Sequence, residues 1–339
     1  MRVYVVTEKE VRCGIMMVLM IVAITIGLPR LPAVRRWRHG APKGVTLAGQ
    51  PVGGLLPQEV RALVTKLAEQ YRREPHNAGY FEETGELIPE QNGLAVDIEG
   101  TIKKIFSAKD GEQVQPVTYV VTAARDRSYY LPVYEGNADR QEVSITFNVA
   151  WGEEEIPQIL AILKETGVKA TFYFVGTWVK QFPELVREIA AAGHEIANHG
   201  LYHGHPAQMN RAELVRLLEA NQKLLTETIG RQPAKLFAPP SGEYNQQVLS
   251  VAGDLGYRTV LWTVDTVDWK RPAPEIIRER VRSKVRPGAI ILMHPTAPTV
   301  AALRAIIGDL KAKKLQPVPV SQLLSTSTAT NEQKAGVTN

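Results

Sequence analysis

The sequence predicts an α/β protein: an irregular parallel (β/α) barrel of about seven strands, preceded by a small α+β domain and an N-terminal membrane segment. Strand-like and helical patterns alternate from Glu142 almost to the C-terminus, which is typical of a parallel sheet. No glycine-rich dinucleotide loop interrupts them, and this favours a barrel over an open sheet. A long apolar stretch near the N-terminus predicts the membrane segment.

Composition narrows the function classes. A chain of 339 residues, 44% hydrophobic and 22% charged, is expected to form two folded units rather than one small module or a disordered chain. The single cysteine, Cys13, excludes an intrachain disulfide framework and a cysteine zinc finger. The net charge of +5 is mild and the folded part has no nucleic-acid-like basic run, so no nucleic-acid partner is expected.

Residues 1–40 are predicted to be a signal or membrane anchor followed by a basic linker. Residues 13–28 are uncharged and end at Pro29, as in a signal-peptide core or a short membrane anchor. No small-residue cleavage site follows, which favours an uncleaved anchor. Four arginines follow instead, and they would favour a cytoplasmic C-terminal side. We expect a membrane-anchored protein at the extracytoplasmic face or in the cell wall, with the orientation left open.

Residues 41–137 are predicted to form the small α+β domain. Its helix begins near Pro57 and places Val60, Val64 and Leu67 on one face. Strands are predicted at 79–88, 93–97 and 117–121, with a helix near 101–106. The stretch at 44–60 resembles a domain that accompanies cell-wall enzymes and is assigned to peptidoglycan binding. A spacer is the alternative.

Residues 138–326 are predicted to form the barrel, and residues 327–339 a disordered tail. The predicted strands lie at 143–149, 170–175, 195–197, 235–237, 259–264, 289–293 and 317–320. Active sites of such barrels lie at the C-terminal ends of the strands. Polar residues follow these ends: Asn148, His199, His203, Ser241, Asp265, Asp268 and His294. We therefore expect one site at the barrel mouth.

His199 and His203 lie four residues apart, a spacing that brings two imidazoles to one cation. Two histidines do not complete a metal site, so a carboxylate or water must add the remaining ligands. Two further histidines are nearby. His194 is interpreted as a strand-flanking residue and His205 as a loop residue.

Five segments resemble, in order, the motifs of the polysaccharide deacetylases, carbohydrate esterase family 4, with the NodB homology domain. They are VSITFNVAWG at 143–152, GHEIANHGLYH at 193–203, LFAPPSGEYN at 236–245, WTVDTVDW at 262–269 and IILMH at 290–294. The first also resembles the sporulation-associated branch in its final WG pair. This resemblance does not cover the N-terminal 140 residues.

The resemblance implies the roles of individual residues. His199 and His203 would bind a divalent metal, zinc being expected. His294 would protonate the leaving amine, and Asp268 would orient the imidazole ring of His294. The substrate pocket would be formed by Trp269, Leu292, Pro240 and the backbone N–H of Ser241, which would hold the oxyanion. Metal-bound water would attack the N-acetyl carbonyl of an aminosugar and release acetate.

The sequence departs from the family at three positions. Asn148 replaces the catalytic base, Val149 the acidic metal ligand, and Ala238 the arginine that pairs with the base. An amide cannot take a proton at neutral pH. The base and its arginine are expected to be lost together, because an arginine beside a neutral asparagine would be a buried unpaired charge.

Two hypotheses follow. In the first, the protein hydrolyses N-acetyl groups of peptidoglycan in sporulation or wall remodelling, with impaired catalysis. Asp265 or the glutamates at 153–155 would then replace the base; otherwise the glutamates are an ordinary first helical turn. In the second, the barrel is a non-catalytic glycan-binding or scaffold protein of the cell envelope. Cell-wall glycan is the expected partner in both.

Overall fold

The structure, a computed structural model, describes residues 8–22, 25, 32–81 and 84–325. These form two compact units. The first contains the described residues up to His76 together with Gln91–Ala124, and the second contains Asn77–Glu90 and the chain from Arg125. The small domain predicted at 41–137 thus shares segments with both units. The predicted tail at 327–339 lies outside the described residues.

The elements are given in chain order. The helices are α1 Glu8–Val22, α2 Pro32–His39, α3 Pro57–Tyr71, α4 Ile98–Phe106, α5 Ile156–Thr166, α6 Gly176–Gln181, α7 Pro183–Ala191, α8 Arg211–Ile229, α9 Gln246–Asp254, α10 Pro274–Lys284, α11 Ala297–Ala312 and α12 Val320–Leu323. The strands are β1 Thr46–Leu47, β2 Gln50–Pro51, β3 Gly79–Tyr80, β4 Leu87–Ile88, β5 Gly93–Val96, β6 Gln113–Val114, β7 Thr118–Val121, β8 Glu142–Val149, β9 Thr171–Phe174, β10 Glu195–Asn198, β11 Leu236–Phe237, β12 Arg258–Thr259, β13 Val264–Asp265, β14 Ile290–Met293 and β15 Gln316–Pro317.

The first unit packs α3 and α4 around a small core. Val60, Val64 and Leu67 of α3 are buried in this core with Ile105 of α4, as the helical spacing predicts. Strand β1 pairs antiparallel with β2 and parallel with β6, and β5 pairs antiparallel with β7. The predicted helices near 57 and 101 and the strands at 93–97 and 117–121 are confirmed.

Helix α1 is apolar and exposed but short. Its side chains from Ile15 to Val22 are 44–67% exposed. At a rise of about 1.5 Å per residue, a helix of this length is shorter than the ~30 Å hydrocarbon core of a bilayer. Within the described ranges, no helix is both long and apolar enough to cross a membrane. The predicted membrane segment at 13–28 is therefore not confirmed; its residues 23, 24 and 26–28 lie outside those ranges.

The second unit is built on a parallel sheet. Its strands follow the order β12-β11-β10-β9-β8-β14-β13, with β15 paired to the start of β8, and all neighbours are parallel. In the described part of the chain no ladder joins β12 to β13, so the barrel is open there. The seven strands of this path, with β15 as an eighth beside β8, confirm the predicted parallel (β/α) architecture.

Alternation along β8 shows how the barrel positions its site. Ile145, Phe147 and Val149 belong to the apolar core that also contains residues of α5 and α11. Successive side chains of a strand point to opposite faces. Thr146 and Asn148 therefore point to the barrel interior, and Asn148 lies at its mouth.

Three predicted strands are wrong in detail. Of the segment 317–320, only Pro317 lies in a strand, β15, and Val320 begins helix α12. The segment 259–264 forms two short strands, because the backbone N–H of Leu261 donates to the carbonyl of Val133 outside the main sheet. The segment 79–88 forms an antiparallel hairpin, β3 and β4, rather than one strand, and Gly85 carries a positive φ of 69° in it.

Candidate functional site

A cavity of about 430 Å³ opens at the C-terminal ends of the strands. Its walls come from residues at or just after these ends, as the fold class predicts. The lining residues are Asn148, Ala150, Trp151, His199, His203, Ser241, Gly242, Trp262, Asp265, Trp269, Leu292 and His294. Most of the predicted site residues thus meet in one cavity. Asp268 and Pro240 are buried next to it, and the glutamates at 153–155 do not line it.

His199 and His203 form one wall of the cavity. Their ring centroids are 5.4 Å apart at an interplanar angle of 75°. The Nδ1 of His199 lies 2.6 Å from the carbonyl oxygen of Ala238 and donates to it, so its Nε2 is the nitrogen left for a ligand. Burial lowers the pKa of His199 to about 3, and burial also lowers the pKa of His203. Both rings are therefore neutral at pH 7, as a metal ligand requires.

The family resemblance implies a divalent metal at this cavity. The cavity provides too few protein ligands for one among the described residues. Catalytic zinc sites have three protein ligands. Over the described ranges, no group of three His, Cys, Asp or Glu side chains could hold a metal ion. Val149, at the position of the acidic ligand, is fully buried in the apolar core and does not line the cavity. The residues present do not fit a complete catalytic metal site.

Asp268 and His294 form a hydrogen-bonded pair at the cavity, with Asp268 fully buried and His294 partly buried. Asp268 Oδ1 lies 2.8 Å from His294 Nδ1, and Oδ2 accepts the backbone N–H of His294 at 2.6 Å. The hydroxyl of Thr299 also donates to Oδ2 at 2.6 Å. These bonds leave Nε2 of His294 as the ring nitrogen directed away from Asp268. The pair has the geometry expected of an oriented general acid.

Aromatic rings cover much of the remaining wall. Trp151 stacks on His294 with ring centroids 5.8 Å apart and an interplanar angle of 9°. Trp269 is half exposed, and Trp262 lies beside Gly242. Flat aromatic faces beside polar groups are typical of a binding surface with an apolar ligand face.

The turn after β11 is strained at Ser241, which has φ 56° and ψ 10°. A non-glycine residue in the left-handed region costs free energy and often marks a functional site. Pro240 precedes it and is buried. Ser241 lines the cavity, and the role of its backbone N–H toward an oxyanion stays a prediction.

Asp265 and Asn148 are the two remaining polar residues of the predicted site. Asp265 lines the cavity, and its Oδ1 accepts the backbone N–H of Val267 at 2.8 Å. Asn148 is 5% exposed and also lines it. Asp265 is therefore the only carboxylate among the described residues that line this cavity.

Sequence reasoning missed five residues of the site: Ala150, Trp151, Gly242 and Trp262, which line the cavity, and Thr299, which bonds to Asp268. Trp151 and Trp262 follow β8 and β12, so the strand-end rule that selected the histidines also points to them. Thr299, which donates to Asp268, lies inside α11 and has no signal in the sequence.

Known proteins resemble this chain in sequence and in fold. Residues 135–260 match the family described as Polysaccharide deacetylase. An uncharacterized protein of Bacillus subtilis is 38% identical over 76% of this chain and 81% of its own length. A peptidoglycan-N-acetylglucosamine deacetylase of Bacillus cereus is 31% identical over 73% of this chain and 98% of its own length.

Solved structures include a family 4 carbohydrate esterase described as a pseudoenzyme, from Bacillus anthracis. It is 34% identical, covers 78% of this chain and 94% of its own, and has a TM-score of 0.57. A mutant of that protein, described as having restored enzymatic activity, is 32% identical at the same TM-score over 78% of this chain and 97% of its own. The family resemblance of the motifs is confirmed.

Proposed function

Because this chain belongs to the polysaccharide deacetylase family, we propose that its barrel binds cell-wall glycan, specifically peptidoglycan, and does not hydrolyse it efficiently. The proposal depends on two residues of β8 that differ from those of the family's catalytic motif. Asn148 occupies the position of the base, and Val149 lies buried in the core at the position of the acidic ligand. The similarity to a pseudoenzyme of the same family supports it.

Peptidoglycan is favoured as the ligand by relatives and by the cavity. The Bacillus cereus relative is a peptidoglycan-N-acetylglucosamine deacetylase, and this chain covers nearly all of it. The cavity keeps Trp151, Trp262 and Trp269 together with hydrogen-bonding groups, so loss of the base leaves the binding surface intact.

Sedimentation of the full chain with insoluble peptidoglycan tests the binding. We expect the protein to sediment, and we expect Trp269→Ala to weaken sedimentation, because it removes an exposed ring from the cavity wall. Trp37→Ala, which removes an exposed tryptophan of α2 outside the cavity, is the matched control. Failure of the unmodified chain to sediment would contradict the proposal.

Slow hydrolysis with Asp265 as base is the second candidate. Asp265 shares the cavity with His294, and loss of a general base typically costs about 10²–10⁴-fold in rate. Acetate release from chitooligosaccharide with zinc, cobalt or manganese measures it. Release that disappears in Asp265→Asn and in His294→Ala would establish this activity; no release from the unmodified chain would eliminate it.

The cell envelope is the proposed location, in sporulation or wall remodelling, with residues 13–28 attaching the chain to the membrane. The uncharged sequence of this segment and the exposed apolar side chains of Ile15–Val22 support attachment. Fractionation of cells that express the full chain or a chain lacking residues 1–40 tests it. Recovery of both proteins in the same fraction would contradict attachment.

A further inference from the structure

Resting on the proposed glycan binding, we propose that the cavity selects a deacetylated sugar, whose 2-amino group is a free ammonium, over the N-acetylated sugar. The ligand class is a 2-amino-2-deoxy sugar within a glycan chain. The cavity would then recognise the product of N-deacetylation rather than its substrate.

The charges of the cavity favour a cation. Its described lining residues include the carboxylate of Asp265 and no lysine or arginine. A second carboxylate, Asp268, lies directly behind His294. Ala238 is small and buried where the family resemblance places an arginine, so this position supplies no guanidinium to the two carboxylates.

Asp265 has an oxygen available for a ligand. Its Oδ1 accepts from Val267, whereas Oδ2 has no hydrogen-bond partner among the described residues. An ammonium would bond to this oxygen with charge assistance, which a neutral acetamide N–H cannot match. One such bond corresponds to about tenfold in affinity.

The aromatic wall also accommodates an ammonium. The Nζ of Lys270 already lies 4.9 Å from the centroid of the Trp269 ring, so the rings that a ligand ammonium can approach are those of Trp151 and Trp262. Lys270 is exposed and does not line the cavity.

This preference places the protein after a hydrolytic N-deacetylation. That reaction cleaves the amide bond of an N-acetylated aminosugar and leaves acetate and the free amine. If the barrel binds glycan without hydrolysing it, as the proposed function holds, another protein supplies the deacetylated glycan.

Calorimetric titration of the full chain with two tetrasaccharides tests the preference. One is the tetramer of N-acetylglucosamine and the other is the tetramer of glucosamine, at a pH near 6.5, where a sugar amine is largely protonated. We expect the glucosamine tetramer to bind about tenfold more tightly. In Asp265→Asn we expect the two tetramers to bind alike. Glu188→Gln, which removes an exposed carboxylate on α7 outside the cavity, should keep the preference.

The outcomes separate the two proposals. Equal affinities, or tighter binding of the acetylated tetramer, overturn the preference and leave glycan binding in place. A preference that persists in Asp265→Asn overturns the assignment to this carboxylate. Binding of neither tetramer overturns the preference, and the proposed glycan binding is then decided separately by sedimentation with peptidoglycan. Thermal unfolding of each variant verifies that it is folded.

Discussion

The carboxylate of Asp268 contacts His294 twice, through the ring Nδ1 at 2.8 Å and the backbone N–H at 2.6 Å. Two contacts fix both the position of the residue and the direction of its ring. Charge-assisted hydrogen bonds of this kind are short and strong. The pair is complete without Asn148 or Val149, so the barrel retains an oriented histidine although the base position is changed.

Thr299 is expected to stabilise this pair. Its hydroxyl donates to the fully buried Asp268 at 2.6 Å, so Thr299→Val removes a hydrogen bond to a buried carboxylate. We expect the free energy of unfolding to fall by about 1–3 kcal/mol. Thr299→Ser keeps the hydroxyl and should lose about 1 kcal/mol or less. Urea denaturation measures both, and equal losses would contradict a role for the hydrogen bond.

Glycine is expected to be required at position 152, next to Trp151, for the stability of the fold. It has φ 85°, and a Cβ there would overlap the carbonyl oxygen of Pro295. Gly167 also has a positive φ, of 71°, but open space around it. We expect Gly167→Ala to cost about 1 kcal/mol of unfolding free energy and Gly152→Ala clearly more, because only the second adds a clash. If urea denaturation gave the same loss of unfolding free energy for both variants, the positive φ alone would account for the loss, and the clash with Pro295 would not contribute.

Acid is expected to destabilise the barrel through buried histidines. Burial lowers the pKa of His194 to about 4 and that of His199 to about 3. The unfolded chain binds these protons near pH 6.5 and the folded chain does not, so the free energy of unfolding falls as the pH drops from about 6.5 toward 4. Each histidine contributes a slope of at most about 1.4 kcal/mol per pH unit.

The variant His194→Gln tests this slope away from the cavity. His194 Nδ1 accepts the backbone N–H of Ala170 at 3.2 Å, and glutamine retains an acceptor that cannot be protonated. Between pH 6 and 5 we expect its slope to be smaller than that of the unmodified chain by about 1 kcal/mol per pH unit. An unchanged slope in urea denaturation would assign the acid sensitivity to other groups.

An arginine at position 238 is expected to be tolerated only beside a carboxylate at position 148. Ala238 is 2% exposed, so Ala238→Arg alone buries a charge, and Asn148, with which the family resemblance pairs this position, is neutral. We expect it to lower the free energy of unfolding by about 3–5 kcal/mol, with part of the loss recovered when Asn148→Asp is added. A double-mutant cycle measures this coupling. Additive effects would show that the two positions do not pair here.

Much of the site could be predicted from the rule that active sites of such barrels lie at the C-terminal ends of the strands. Asn148, His199, Asp265 and His294 lie at or just after the ends of different strands, yet they line one cavity. Parallel strands direct their C-terminal ends to one side of a sheet, so this meeting is predictable without coordinates. The division of 259–264 into two strands was not predictable, because it depends on the hydrogen bond between Leu261 and Val133, far apart in the chain.

The sequence by itself determined the strand and helix periodicity, the motif order and the replacement of the base by Asn148. These are properties of residue type and spacing. Only the tertiary structure decided that Val149 lies in the apolar core, that Asp265 Oδ1 accepts the backbone N–H of Val267 and that Thr299 supports Asp268. Each of these depends on which distant segments pack together, and local residue patterns do not encode the distance between two side chains from different strands and helices.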